Sequence, residues 1–219
     1  MTPLSTFLAR TLALLGDPSS VRYSNILLGE ALSQALEEYS IAIPNLIIEE
    51  FSVVSSGREQ LISSVPAFLN VLRVVFPFDE TASEQTALDT FHAYHDGDYL
   101  AIHIGGPAVP APGDVIQIYY TIPHTLQDLA GAASTTVNPA HHSLLCQGAA
   151  GFAALLRAAQ MVENLGKRVA DVENLQKWGT EQRHKFSATL QLLAAGHAHT
   201  SALSGSGWRL DHWDHPHAR

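Results

Sequence analysis

The stretch Pro139 to Leu165, PAHHSLLCQGAAGFAALLRAAQMVENL, constrains the chain more than any other. Between Ser143 and Val162 its one charged residue is Arg157, and Leu145, Phe152, Leu155, Leu156 and Val162 stand at helical spacings of three, four and seven residues. That spacing predicts an α-helix, with Asn138 placed to cap it. Because the helix is apolar nearly all the way round, other elements must cover it or it must span a membrane. The run is dominated by Ala and Gly and includes Ser143, Gln147, Arg157 and Gln160, too polar a filling for a span. Gly148, Ala149, Ala150, Gly151, Ala153 and Ala154 strip bulk from successive turns, so a neighbouring backbone can approach closely. Two arrangements use that property. The helix is the centre of one bundle, or it packs against copies of itself in a ring through Gly148, Ala149, Gly151, Phe152 and Leu155.

The flanking segments predict more helix. Pro3 to Leu15 places Leu4, Phe7, Leu8, Leu12 and Leu15 on one face with Gly16 as the closing residue, and Asp17-Pro18-Ser19 turns the chain. A second helix runs from the cap Ser24 to about Tyr39, with Ile26 or Leu27, Ala31, Leu32, Ala35 and Leu36 inward. Val169 to Ala195 reads as a more polar helix whose stripe is Val172, Leu175, Trp178, Phe186, Leu190 and Leu193. A brief helix is expected at Thr125 to Leu129.

Between Asn45 and Ile122 the pattern changes to β-branched and aromatic runs separated by turn residues. Strands are predicted at Leu46–Val54, Phe68–Phe76, Thr90–Tyr94, Tyr99–Ile104 and Asp114–Ile122, with His95-Asp96-Gly97-Asp98 as a hairpin turn. The resulting class is α+β: an N-terminal helical hairpin and two long C-terminal helices forming a helical bundle (1–44 and 124–195), a small antiparallel β module inserted at 45–123, and an extended C-terminal tail, 196–219. The tail is rich in Gly, Ser and His and lacks periodicity, yet it holds Trp208, Arg209 and Trp213, residue types that anchor interfaces. It reads as a docking peptide that orders on a partner.

The composition narrows function. The net charge of -9 opposes a surface that grips phosphate, since that needs clustered Lys and Arg. With 15% charged residues, part of the surface is expected to be covered by partners. The single cysteine, Cys146, lies in the apolar helix and reads as a buried structural thiol. Arg10 interrupts the early apolar run, so no secretory signal is expected and the chain should stay in the cytoplasm where it is made. No Gly-x-Ser-x-Gly, phosphate loop after a strand, His-Glu-x-x-His or Cys-x-x-Cys occurs. Twelve histidines raise the question of metal. His197, His199, His212, His215 and His217, with Asp211 and Asp214, lie in a tail lacking fixed geometry, where adventitious binding is the simpler reading. His141 and His142 read as exposed first-turn residues. His92 and His103 fall on one face of adjacent predicted strands, a conceivable zinc or acid–base pair that lacks a completing Cys or carboxylate. The chain is accordingly expected to be no enzyme and to use no cofactor.

In their order, Leu15 to Ser40 (LGDPSSVRYSNILLGEALSQALEEYS), Gly113 to Leu129 (GDVIQIYYTIPHTLQDL) and Gly148 to Ala159 (GAAGFAALLRAA) resemble the head-completion adaptors, or head-to-tail connectors, of tailed bacteriophages. The likeness spans roughly Leu14 to Leu193. It implies a structural virion protein of the neck that forms a ring, typically of twelve copies, beneath the portal. Such a ring joins the portal to the next neck or tail protein and lines the passage taken by the genome at ejection, with no sequence-specific contact to DNA. In that family a C-terminal segment often docks on the portal, a role that would fall here to Trp208, Arg209, Leu210 and Trp213. A stopper or tail-terminator ring is one alternative, and a soluble His-dependent metal-binding protein or hydrolase is another.

Overall fold

The computed structural model describes residues 2–62, 68–79, 81, 87, 88, 90–96, 99–162 and 169–205, apart from the side chains of His95 and of residues 197–205. It is an α+β protein with four α-helices and two small antiparallel sheets among these residues. They divide into two compact units, one from Met1–Ile43 with Thr125–Arg219 and one from Pro44–His124.

In the helical unit, α1 is Leu4–Leu14, α2 Asn25–Ala42, α3 His142–Val162 and α4 Val169–Gly205. Local chemistry sets several of their ends. Gly16, at φ +64°, turns the chain beyond α1 in a conformation that suits glycine. Ser24 caps α2 by accepting the Leu27 N–H. Asn138 accepts the Ala140 N–H and opens a single 3-10 turn, Pro139–His141, that leads into α3. The α1–α2 turn is built on Asp17, whose carboxylate accepts the backbone N–H groups of Val21, Arg22 and Tyr23 at 3.2, 2.7 and 3.1 Å.

α3 contacts α1, α2 and α4, the central placement its apolar girth requires. Phe7 and Leu12 of α1, Leu28, Leu32 and Tyr39 of α2, Leu145 and Ala149 of α3, and Phe186 and Leu190 of α4 share the core. Leu27 is the buried alternative on α2, while Ile26 is 87% exposed.

Two expectations fail here. Thr125 to Leu129 is a loop, with Asp128 and Ala130 at positive φ. Threonine hydroxyls supply its hydrogen bonds: Thr136 Oγ1 accepts from the Thr125 N–H and Thr135 Oγ1 from the Gln127 N–H, which competes with helix while Leu126 and Val137 enter the core. At the other end, α4 continues through Gly196 to Gly205, into the segment read as aperiodic tail.

The second unit holds β1 (Asn45–Ser52), β2 (Glu59–Ile62), β3 (Asn70–Val75), β4 (Phe91–Asp96), β5 (Tyr99–Ile104) and β6 (Val115–Ile122). They form one sheet in the order β1-β6-β3 and another in the order β2-β5-β4, all pairs antiparallel. Alternate residues Leu100, Ile102 and Ile104 of β5 and Ile116, Ile118 and Tyr120 of β6 enter one shared core. β2, absent from the predicted strands, pairs along β5 from Glu59↔His103 to Ile62↔Leu100. Gly97 and Asp98 of the expected hairpin turn lie outside the described residues.

Burial raises the Asp17 carboxyl and the three backbone donors outweigh it, leaving it below its ordinary value of 3.8. A carboxyl with a depressed folded value stabilises fully at neutral pH and loses that contribution as the pH falls through the folded value, below about 4. Asp17→Asn should therefore lower the thermal midpoint of helix unfolding at pH 7, followed by circular dichroism, and the gap to wild type should narrow at pH 3.

Candidate functional site

The small residues of α3 meet α4. A Cβ on Gly148 would stand 2.8 Å from carbons of the Phe186 ring, and one on Gly151 would stand 2.9 Å from the Arg183 backbone nitrogen and 3.1 Å from the Gly179 carbonyl oxygen. From the facing side, a Cβ on Gly179 would stand 3.0 Å from the Gly151 carbonyl oxygen and 3.1 Å from Ala154 Cβ and Leu155 Cγ. Three glycines on two helices thus permit an approach that any side chain would obstruct. Gln147 Nε2 donates to Gln182 Oε1 at 3.1 Å across the same seam. Phe152 is nearly covered, with the Arg183 guanidinium 4.9 Å from its ring centre, and Arg183 also pairs with Glu38 of α2 at 2.7 Å. That ion pair is half-exposed and contributes little by itself.

Of the five residues read as a contact between copies, Gly148, Ala149 and Gly151 are buried within the chain, Phe152 is 8% exposed and Leu155 is half-buried. The close approach they allow is used inside one chain. Gly179 was not singled out from the sequence, although an interior glycine in an otherwise good helix costs about 1 kcal/mol relative to Ala and so signals a packing reason. Trp208, Arg209, Leu210 and Trp213 lie outside the described residues, as do His212, His215 and His217.

Among the described residues, the helical unit's surface carries exposed apolar side chains. Ile26 and Ile41 on α2 are 87% and 70% exposed, and with Glu30 and Glu37 they fall on one stripe of that helix. A cleft of about 510 Å³ lies between the α1–α2 turn, α3 and α4, walled by Tyr23, Met161 and Trp178 and rimmed by Arg22, Arg157 and Asp171. Its mixed rim gives no field of a single sign.

The histidines separate by environment. His142 is buried, contrary to its reading as an exposed first-turn residue: its ring packs edge-on to Phe7 at 4.8 Å and its Nε2 is 3.2 Å from the Val137 carbonyl oxygen. His141 is half-buried, with Nδ1 2.8 Å from the Tyr39 hydroxyl. Cys146 is buried as expected, and burial raises its thiol above the ordinary range, the opposite of an activated nucleophile. On the second unit, His92 and His103 are exposed and stand directly opposite each other on β4 and β5.

Among the described residues, no group of three or more His, Cys, Asp and Glu is arranged to hold a metal ion. Among the same residues, no helix is long and apolar enough to cross a membrane. In comparisons with known proteins, the chain matches no family model and no curated protein.

The seam between α3 and α4 makes a quantitative prediction. Gly151→Ala should destabilise the helical unit by about 1–3 kcal/mol, the usual cost of overpacking. Gly196→Ala, where an added Cβ meets nothing within 4 Å, should be neutral or stabilise by up to about 1 kcal/mol through helix propensity. Urea unfolding of both variants, followed by helical circular dichroism, checks the contrast.

Proposed function

We propose that the chain is a structural subunit of a tailed-phage neck: an adaptor that assembles as a ring, with twelve copies the expected number, beneath the portal and connects it to the next neck or tail protein. In this reading the four helices form the ring-building bundle, the inserted β unit contacts a neighbouring neck component, and the chain catalyses no reaction. It acts in the virion after assembly in the host cytoplasm. Genome passage places an acidic subunit at an advantage, because a lumen that held phosphate would slow ejection.

The observation that supports this reading best is the length of α4. It has 37 residues against 21 in α3. At about 1.5 Å per residue it is roughly 24 Å the longer. In this reading the helix that runs on from Gly196 to Gly205 serves as an arm for the segment that carries Trp208, Arg209, Leu210 and Trp213. An arm ending in aromatic and Arg residues suits capture of a partner better than it suits the chain's own core. Because the glycine face of α3 is occupied by α4, contact between copies in this reading falls on the exposed stripe of α2 where Ile26 and Ile41 flank Glu30 and Glu37.

The test is mass by light scattering of the purified chain, alone and mixed with cognate portal rings, with and without residues 196–219. The intact chain should join the portal in a fixed ratio and the truncated chain should not. Replacing both Ile26 and Ile41 by Asp should reduce assembled mass without loss of helical signal. Failure of the intact chain to join the portal would overturn the adaptor reading.

A further inference from the structure

The exposed face of the sheet β2-β5-β4 carries three ionisable side chains in one row. Glu59 is paired with His103, and His103 with His92, so the row crosses all three strands at a single level. All three residues are exposed. In the next row Leu61, Ala101 and Tyr94 stand in register, and the Tyr94 hydroxyl donates to Glu59 Oε1. That bond links β2 to β4 across β5, where Ala101 is small and fully covered. The Glu59 carboxylate and the Tyr94 hydroxyl therefore meet on the face shared by both histidines.

We infer that this face is a divalent transition-metal site in which His92 and His103 are the two protein ligands. Residues directly opposite on antiparallel strands have Cβ atoms about 4.5–5.5 Å apart and point to the same side. From that spacing two imidazoles can each bring a nitrogen to the roughly 2.0–2.1 Å that a bound Zn²⁺ requires. Imidazole pairs suit Zn²⁺, Ni²⁺ and Cu²⁺, and carboxylate-seeking Mg²⁺ and Ca²⁺ are poor candidates. Two protein ligands leave coordination positions to water or to a donor from another molecule, consistent with the lack of a three-residue group among the described residues. Glu59, restrained by Tyr94, acts from the outer shell as acceptor for a metal-bound water or for an imidazole N–H. The inference stands independently of the neck reading, since it uses the β unit alone.

The pair clamps β4 to β5 only in the folded register, which separates it from histidines elsewhere. Ions held by His197, His199, His212, His215 or His217 do not bridge these strands. The experiment is hydrogen–deuterium exchange of the full chain with and without Zn²⁺ or Ni²⁺, read at the amides of β4 and β5. Binding to the folded form alone slows exchange through unfolding by a factor of one plus the ratio of free metal to Kd, about tenfold when metal is ten times Kd. The expected result is that slowing in the wild type and its loss in both His92→Gln and His103→Gln, each of which retains wild-type exchange in the presence of chelator. Glu59→Gln should weaken the effect without abolishing it. No slowing in the wild type, equal slowing in either histidine variant, or slowing confined to amides outside β4 and β5 would overturn the site and leave adventitious metal only.

Discussion

The approach of α3 to α4 is the contact on which the helical unit depends. α3 carries so little polar surface that it must be covered, and its small residues allow cover by backbone and by one large ring at short range. Gly148 receives Phe186, while Gly151 and Gly179 receive each other's helix. Once α4 is seated there, Phe186 and Leu190 close the core begun by Phe7, Leu28 and Leu32. Arg183 then lies where it covers Phe152 and reaches Glu38. The polar character of α4 follows from the same geometry, since only one stripe of it meets the core. Beyond Leu193 the sequence turns to Gly, Ser and His while the helix runs on to Gly205.

The β unit solves a different problem, that of two three-stranded sheets sharing one small core. Their strand edges need protection from unwanted pairing. On edge strand β1, Glu49 sits in the inward register yet stays exposed, with its carboxylate 2.8 Å from the Tyr120 hydroxyl. An inward-register charge on an edge disfavours adding another strand, and burial together with this carboxylate pushes the tyrosine well above its ordinary value. On the other edge, a bulge between Val71 and Arg73 breaks the regular ladder of β3, and Arg73 lies over the Tyr119 ring at 5.3 Å. The exposed face of β2-β5-β4 holds the Glu59, His103 and His92 row.

What the sequence made legible was chemistry that acts within a few residues. Ser24 and Asn138 as caps, Gly16 beyond α1, and the alternation of Leu100, Ile102 and Ile104 all depend on neighbours close in the chain. Errors arose where distant residues decide. Thr135 and Thr136 hold Thr125–Leu129 as a loop, and Phe7 from α1 buries His142. The composition of 196–205 reads as unstructured, yet the segment holds the good helix formers Ala198, Ala202 and Leu203, and α4 continues through it. β2 has four residues, two of them polar, and follows Ser-Ser-Gly-Arg, so its signal is too short to register. Missing it hid Glu59, the carboxylate that accompanies the two histidines. The small residues of α3 announced a close approach, but nothing in their pattern named the helix that makes it.

That identity is the central claim, because it determines which surfaces remain for assembly. Isotope-filtered nuclear Overhauser measurements on an equal mixture of labelled and unlabelled chains test it directly, using contacts between the Phe186 ring and the α-protons of Gly148. The account predicts that these contacts arise only within one chain, with no cross-peak between labelled and unlabelled molecules. A cross-peak between chains would mean that α4 fills the groove of a neighbouring copy, and the seam would then be a ring interface after all.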